Sequence, residues 1–127
     1  MESTTNDNIL VAAYGTLRKG YGNSRLVDRG NNHVGTGITV EDYRMTSSGI
    51  PFVSKNNPVS KIVVDIWKID SNQLAQVDGL EGHPNWYRRE LIDVNVNNSI
   101  MKAWLYFNEQ SRGNTLIENG DYANKHR

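Results

Sequence analysis

The amino-acid sequence predicts an α+β domain that is mainly β and is built on a curled, mixed or closed sheet. Short apolar segments of the kind that form strands outnumber the segments with helical periodicity. These segments do not alternate regularly with helices, so a doubly wound parallel sheet is not expected. The chain has 11 Gly and 3 Pro together with several Asn pairs, which indicates many tight turns. Its 127 residues have room for one domain, residues 1–127, and we expect residues 1–7 to form a flexible tail.

The first half of the chain contains two predicted strands, a short helix and a loop. Ile9–Ala13 is a short apolar run bounded by turn residues, which is typical of a buried strand. Residues 24–28 predict a short helix. Residues 33–43 mix β-branched side chains with Gly and Thr, which indicates a bent or bulged strand. Residues 47–53 predict a loop that leads into a brief extended piece, because Pro51 restricts the preceding residue to extended conformations.

The middle of the chain contains the strongest strand prediction and one helix. Residues 61–69 are rich in β-branched side chains and apolar on both faces, which is typical of a central strand. Asp70 and Gln73 are spaced as a capping box, with Asp70 as the N-cap residue. The helix that begins there is expected to stop within residues 79–82, where two glycines occur.

Two further strands follow this helix. Residues 91–96 and 100–107 both alternate apolar with more polar side chains, as half-buried strands do. Asn97 and Asn98 lie between them and predict a hairpin turn. Residues 108–127 are polar and poorly periodic, and they predict no regular element.

The composition excludes several classes of function. Lys and Arg number 14 and Asp and Glu number 14, so the formal net charge is zero. A neutral chain gives no electrostatic reason to bind nucleic acid or an anionic membrane, and neither partner is expected. There is no Cys, which excludes disulfides, thiolate metal sites and a Cys nucleophile. The 3 His lack the spacing of metal ligands, so no metal is expected. With no visible secretory signal and no apolar run of roughly 20 residues, the expected location is the cytoplasm.

A Gly-containing loop at residues 14–20 is the first candidate for chemistry. Backbone N–H groups that leave the end of a strand have no ladder partner, and Gly lets a ligand approach them closely. Such a loop can hold a carboxylate or an oxyanion. Taken alone, the pattern is more typical of an ordinary turn with Tyr14 packed in the core.

The carboxylate of Glu81 is the second candidate. If helical spacing continues, Glu81 shares one stripe with the core positions Leu74 and Val77. Burial would raise its pKa and suit it to general acid/base work near neutrality. The competing interpretation is that the helix breaks earlier and Glu81 turns to solvent or pairs with Arg88 or Arg89. Spacing alone leaves these two interpretations equal.

Together, the two candidates resemble the gamma-glutamylcyclotransferase-like proteins. Residues 14–20 are similar to that family's YGTL(R/K)xG signature, and residues 78–89 to its D-x-(L/F)-E-G-x-P-x-x-Y-x-R segment. Residues 103–106 resemble its late A-x-x-Y strand, and residues 120–122 its terminal G-D-(Y/W). The matches occur in family order and cover nearly the whole chain.

The resemblance implies a small, mainly β fold with a partly closed mixed barrel and a few short helices. It also implies conversion of a small γ-glutamyl amide into 5-oxoproline and a free amine, without cofactor or metal. Glu81 matches the catalytic glutamate. The residues implied to bind substrate are Tyr14, Gly15, Thr16 and Leu17 in the loop, with Tyr87 and Tyr106 as pocket wall.

Two points stay open at this level. The family often has Gly-Glu where this chain has Val64-Asp65, a position that can line the site and affect substrate preference. The alternative to an enzyme is a non-catalytic binding module that keeps the glutamyl pocket. Glu81 favours the enzyme, because a binder needs no desolvated base. The sequence predicts neither the leaving amine nor the oligomeric state.

Overall fold

The computed structural model describes residues 8–111 and 113–122, so the predicted tail at residues 1–7 lies outside the described residues. The described residues form eight strands, one α-helix (α1) and one short 3-10 helix. The strands are β1 Ile9–Ala13, β2 His33–Thr39, β3 Arg44–Ser47, β4 Pro51–Ser54, β5 Val63–Ile69, β6 Arg88–Val96, β7 Ser99–Phe107 and β8 Thr115–Leu116. The helices are α1, Ser71–Glu81, and the 3-10 turn Ser24–Leu26.

Five of the strands form a closed barrel in the order β1-β5-β2-β6-β7. Each neighbouring pair in this order is antiparallel, and the barrel is closed by a parallel contact between β1 and β7 at Val11 and Trp104. Closure leaves the barrel without an unpaired edge. The predicted mainly β class with a mixed, closing sheet is confirmed.

Strand β5 is paired on both sides in the barrel, with β1 on one side and β2 on the other. Val64, Ile66, Trp67 and Ile69 are fully buried in it, and both of its faces are covered. The prediction of a central strand is therefore confirmed. The predicted irregularity in β2 is also present, as a register shift between His33 and Gly35.

Helix α1 begins and ends as the sequence indicates. Asp70 accepts a hydrogen bond from the backbone N–H of Gln73 at 2.7 Å, and the Gln73 side chain accepts one from the N–H of Asp70 at 3.1 Å. Gly82 ends the helix in the left-handed conformation, with φ of 66°. These terminal contacts place Glu81 in the last turn.

The hairpin between β6 and β7 turns at Asn97 and Asn98, with φ of 51° and 68°. Two consecutive positive φ values are those of a type I′ turn, which suits the twist of paired strands. The hairpin prediction is confirmed.

A second sheet, in the order β4-β3-β8, was not predicted. The sequence assigned no element to residues 44–46 and predicted a loop from residue 47, and it predicted no element where β8 lies. Strand β4 lies where the brief extended piece was expected. Strand β3 pairs with β4 from Ser47 opposite Pro51, and with β8 from Thr46 opposite Leu116. The pairing of β3 with β8 joins segments that are far apart in sequence, and all three strands are too short to show a period, so no local pattern indicates this sheet.

No α-helix among the described residues is both long and apolar enough to cross a membrane.

Because β5 is paired on both sides and buried, truncating its core side chains should lower the free energy of unfolding. We expect Ile66→Ala to lower the free energy of unfolding by about 2–5 kcal/mol, because Ile66 is fully buried and a cavity would remain. The matched change Ile100→Ala, at a side chain that is 58% exposed, should alter the free energy of unfolding by about 0.5 kcal/mol or less. Urea unfolding of the three proteins tests this. Equal losses for both variants would contradict the assignment of β5 to the core.

Candidate active site

Strand β1 and helix α1 both end at one cavity of about 290 Å³. Its walls are mainly apolar and aromatic, and its size is near the lower end of the roughly 300–1,000 Å³ usual for small-molecule sites. The cavity is lined by Ala12, Ala13, Tyr14, Gly15, Thr16, Leu17, Asn23, Ile50, Pro51, Leu80, Glu81, Trp86, Tyr87 and Tyr106.

Every residue for which the resemblance implies a catalytic or substrate-binding role lies in this lining. They are Tyr14, Gly15, Thr16, Leu17, Glu81, Tyr87 and Tyr106. The structure thus brings together a strand-end loop, a helix end and a late strand that are distant in sequence. The roles suggested for these residues stay predictions.

Glu81 projects from the last turn of α1 into the cavity. Burial raises the pKa of its carboxyl group from 4.5 to about 7. Among the described residues, no cation pairs with it, because the guanidinium of Arg89 is held by Asp78, with 2.8 Å between Nε and Oδ1. The interpretation in which Glu81 pairs with Arg88 or Arg89 is therefore wrong.

Loop 14–20 is fixed from behind by strand β5. Trp67 donates a hydrogen bond from its indole N–H to the carbonyl oxygen of Leu17 at 3.0 Å. Tyr14 donates its hydroxyl proton to the carbonyl oxygen of Tyr106 on β7 at 2.6 Å. Both bonds are buried, and they hold the loop backbone against β5 and β7.

Asp65 of β5 is the main polar anchor of this loop. Its carboxylate accepts from Arg18 Nε at 3.1 Å and from the backbone N–H of Lys19 at 3.0 Å. It also accepts from Thr36 Oγ1 at 2.6 Å and lies 3.1 Å from His33 Nε2. Burial alone would raise the pKa of Asp65, but these hydrogen bonds outweigh it and hold the pKa below its usual value.

Asp65 is absent from the residues that line the cavity. The expectation that this position lines the site is therefore wrong. The carboxylate acts on the site through the loop it holds, because β5 turns this side chain toward the loop backbone and strand β2.

The backbone N–H groups of Gly15, Thr16 and Leu17 donate to no acceptor among the described residues. They lie in the cavity lining, so a bound anionic or carbonyl oxygen can accept from them. A Cβ on Gly15 would come 2.9 Å from Cγ of Pro51, which explains why this position is glycine.

The hydroxyl groups of the cavity tyrosines all have hydrogen-bond acceptors within the protein. Tyr87 donates to the carbonyl oxygen of Pro51 at 2.8 Å, and Tyr106 donates to Asp78. Burial first, and then the charge of Glu81 among other groups, raises the pKa of Tyr87 and of Tyr14. These phenols therefore stay protonated and serve as wall.

Several lining residues were not proposed from the sequence as substrate contacts. Ile50 and Pro51 lie where the sequence predicts a loop that leads into an extended piece, and Trp86 lies within the family-like segment 78–89. Leu80 and Asn23 gave no signal, although Asn23 donates to Thr16 Oγ1 at 2.8 Å. The positions of Ile50, Pro51, Leu80 and Trp86 in the lining depend on the second sheet and on the end of α1. The spacing of residues in the sequence reveals neither feature.

No group of three or more His, Cys, Asp or Glu side chains among the described residues is arranged to hold a metal ion.

Comparison with known proteins identifies relatives along most of the chain. The sequence model of the family described as "Gamma-glutamyl cyclotransferase, AIG2-like" matches residues 11–124. A "Putative gamma-glutamylcyclotransferase" of Methanocaldococcus jannaschii is 39% identical over 113 residues, which cover 88% of this chain and 93% of that protein. The gamma-glutamylaminecyclotransferase B of Danio rerio is 36% identical over 96 residues, which cover 68% of this chain and 50% of that protein.

Solved structures share the fold. The crystal structure of an AIG2-like protein of Mus musculus superposes with a TM-score of 0.77 at 21% identity, covering 92% of this chain and 89% of that one.

The environment of Asp65 predicts a pH-dependent contribution to stability. Asp65→Asn should lower the free energy of unfolding at pH 7, and the deficit should shrink as the pH falls below about 4. The reason is that a carboxyl whose pKa is lowered by folding contributes stability while ionised and loses it as it takes up its proton. Urea unfolding of wild type and variant across this range measures the effect. Asp93→Asn, at an exposed carboxylate, is the control, and a deficit independent of pH would contradict the prediction.

The environment of Glu81 predicts the opposite trend. A carboxyl whose pKa is raised by folding costs stability once it ionises, so wild type should lose stability as the pH rises through about 7. Glu81→Gln cannot ionise and should therefore gain stability relative to wild type over the same range. Unfolding at about pH 5 and about pH 9 measures the difference. Glu41→Gln, at an exposed side chain, should show no such gain, and the same absence in Glu81→Gln would contradict the raised pKa.

Proposed function

The chain belongs to the gamma-glutamyl cyclotransferase, AIG2-like family, and on this premise we propose that it converts a γ-glutamyl amide into 5-oxoproline and a free amine. One observation carries the proposal: an unpaired, buried carboxylate with a pKa of about 7 shares a cavity with unoccupied backbone N–H groups. Glu81 is proposed as the general acid/base. The loop from Tyr14 to Leu17 is proposed to bind the glutamyl group.

The proposed binding mode follows the charges of the substrate. A γ-glutamyl amide carries an α-ammonium and an α-carboxylate on the same carbon. The ammonium is placed toward Glu81, which supplies the negative charge of the cavity. The carboxylate or the γ-carbonyl oxygen accepts hydrogen bonds from the N–H groups of Gly15, Thr16 and Leu17.

The proposed reaction is an intramolecular aminolysis. Glu81 takes a proton from the α-ammonium, and the free amine attacks the γ-carbonyl carbon to form a five-membered ring. The tetrahedral intermediate places negative charge on the oxygen, where backbone N–H groups can stabilise it. Glu81 then returns the proton to the amide nitrogen as the bond from carbon to that nitrogen breaks. It next carries the second proton of the ring nitrogen to the released amine, which leaves as an ammonium ion. One bond forms, one breaks, and the carboxylate ends as it began.

The cavity supplies what this chemistry needs. Ring closure within one molecule avoids the entropic cost of bringing two reactants together, provided the chain is held bent. The buried rings of Tyr14, Tyr87 and Tyr106 surround the reacting centre with apolar surface, which strengthens the electrostatic contacts inside. A pKa of about 7 lets Glu81 act as both base and acid near neutral pH. The proposed proton transfers require only the carboxylate and the amide groups.

The proposal predicts the effect of removing the proton carrier. Glu81→Gln should lower kcat for release of 5-oxoproline by about 10²–10⁴-fold, because a general acid/base contributes on that order. In wild type, kcat/KM should fall as the pH drops below about 7, where Glu81 becomes protonated. Product release from γ-glutamyl amides, followed by chromatography across pH, measures both effects. Glu41→Gln is the matched control and should retain wild-type activity.

Two outcomes separate the enzyme from a non-catalytic binding module. A folded protein that binds γ-glutamyl amides but releases no 5-oxoproline from any of them would favour the binding module. Activity that survives in Glu81→Gln would reject the role of Glu81 while leaving catalysis in place.

A further inference from the structure

We propose, on the basis of the function proposed above, that Asp78 is a positioning residue for Glu81. Asp78 is absent from the residues that line the cavity, so it acts on the site through its neighbours. It fixes the last turn of helix α1 and keeps the guanidinium of Arg89 away from the carboxylate of Glu81. Both effects depend on contacts that its side chain makes with two strands of the barrel.

The last turn of α1, residues 78–81, contains no buried apolar side chain. The buried side chains of the helix are Gln73 and Val77, and residues 79 and 80 are exposed. Gly79 also lowers the intrinsic preference of this turn for a helical backbone. A helix end with so little packing frays readily unless another contact holds it. The side chain of Asp78 supplies that contact, three residues before Glu81.

Asp78 joins this turn to strands β6 and β7. Its Oδ1 lies 2.8 Å from Nε of Arg89 and its Oδ2 lies 3.2 Å from Nη2, so the ion pair is bidentate. The hydroxyl group of Tyr106 donates to the same Oδ1. Arg89 and Tyr106 lie opposite each other in the ladder of β6 and β7, so the carboxylate is bound to one rung of the barrel.

The same rung holds the loop on the other side of the cavity. Tyr14 donates its hydroxyl proton to the backbone carbonyl oxygen of Tyr106 at 2.6 Å. Tyr106 thus contacts the loop through its backbone and Asp78 through its side chain. The separation between Glu81 and the N–H groups of residues 15–17 is therefore set through one tyrosine. A displacement of Asp78 would change that separation, and reaction rates are sensitive to shifts of about 1 Å.

The second effect concerns the charge of Arg89. Its side chain is 18% exposed, and its guanidinium lies 4.3 Å from the ring centroid of Trp104. Burial first, and then the hydrogen bond to Asp78 and its charge, raise the pKa of Tyr106. Arg89 lowers and Glu81 raises the pKa of the same hydroxyl group, so both charges lie near it. Asp78 neutralises the cation that would otherwise act on Glu81.

The other ionisable side chains that interact with Glu81 are uncharged near neutral pH. They are the phenols of Tyr14, Tyr87 and Tyr106. Burial raises the pKa of each phenol. His83 lies near Asp78, and its Nδ1 accepts a hydrogen bond from the backbone N–H of Arg89 at 3.3 Å. The charge near Glu81 is therefore set by Asp78 and Arg89 together.

Two substitutions that each remove one charge of this pair test the proposal with opposite expectations. Asp78→Asn leaves Arg89 without its anion, so the acid limb of the kcat/KM profile should move below about pH 7 by roughly one pH unit. Arg89→Gln leaves the carboxylate of Asp78 unpaired, so the acid limb should move to higher pH. A limb that stays in place or moves the other way in either variant would overturn the proposal.

Two further variants separate this effect from a loss of structure. The double variant Asp78→Asn/Arg89→Gln has neither charge, and its acid limb should return to the wild-type position. A merely structural role for Asp78 predicts instead lower activity with no movement of the limb. Asp93→Asn removes a carboxylate from an exposed ion pair on the same strand, β6, and it should leave the profile unchanged. A shift of the same size in that control would contradict the assignment to Asp78.

The anchoring of the helix end has its own measurement. Asp78→Ala removes both contacts, and we expect kcat on its pH plateau to fall by about 10–100-fold, with a smaller change in KM. Asp78→Asn keeps an acceptor for Tyr106 and should retain more of the plateau kcat than Asp78→Ala. If Asp78→Ala does not fold, Tyr106→Phe removes one of the contacts and should also lower kcat. An unchanged plateau kcat in the variant measured would overturn the anchoring role.

A direct titration separates this proposal from the proposed catalysis. In protein labelled with ¹³C at the glutamate side-chain carboxyl, the NMR signal of Glu81 is identified by its absence from Glu81→Gln. Its titration midpoint should increase in the order Asp78→Asn, wild type, Arg89→Gln, whether or not the protein releases 5-oxoproline. Equal midpoints, or any other order, would overturn the proposal. The expected order in a protein that releases no product would reject only the proposed catalysis.

Discussion

Strand β5 determines where both halves of the site lie. Its Asp65 and Trp67 side chains hold loop 14–20 from behind, through the carboxylate and the indole N–H. The same strand runs directly into Asp70, whose capping box begins helix α1, and Glu81 is the last residue of that helix. Because β5 is paired on both sides and buried, the loop amides and the carboxylate are fixed relative to one rigid element.

The features that the sequence predicted are those with a local cause. Strand β5 shows β-branched density, Asp70 and Gln73 form a capping box, and Asn97-Asn98 makes the hairpin turn, each within a few residues. The second sheet was missed, because its strands have only two to four residues and β8 pairs with β3 across a long sequence separation. Ile50 was missed as a lining residue because the turn between β3 and β4 brings it to the cavity, and no spacing links it to Leu80 or Trp86. The resemblance identified the loop and Glu81, but it left open whether the Val64-Asp65 position lines the site, and Asp65 instead contacts the loop backbone outside the lining.

Three carboxylates near the site show how environment assigns different roles to similar groups. Asp65 and Asp78 are both partly desolvated, but hydrogen bonds from their neighbours outweigh burial and lower the pKa of each. Arg89 and Tyr106 are the principal partners of Asp78. Glu81 is desolvated without such partners, and its pKa rises to about 7. The two aspartates therefore remain charged anchors near neutral pH, and Glu81 is the carboxylate that can exchange a proton there.

The absence of a cation from the described lining supports the proposed chemistry. An Arg or Lys beside Glu81 would lower the pKa of its carboxyl group and weaken it as a base near neutral pH. The two arginines nearest to the loop and the helix end are instead paired with aspartates, Arg18 with Asp65 and Arg89 with Asp78. The ion pairs that anchor the site thus also keep these cations from Glu81, and burial can raise the pKa of its carboxyl group to about 7.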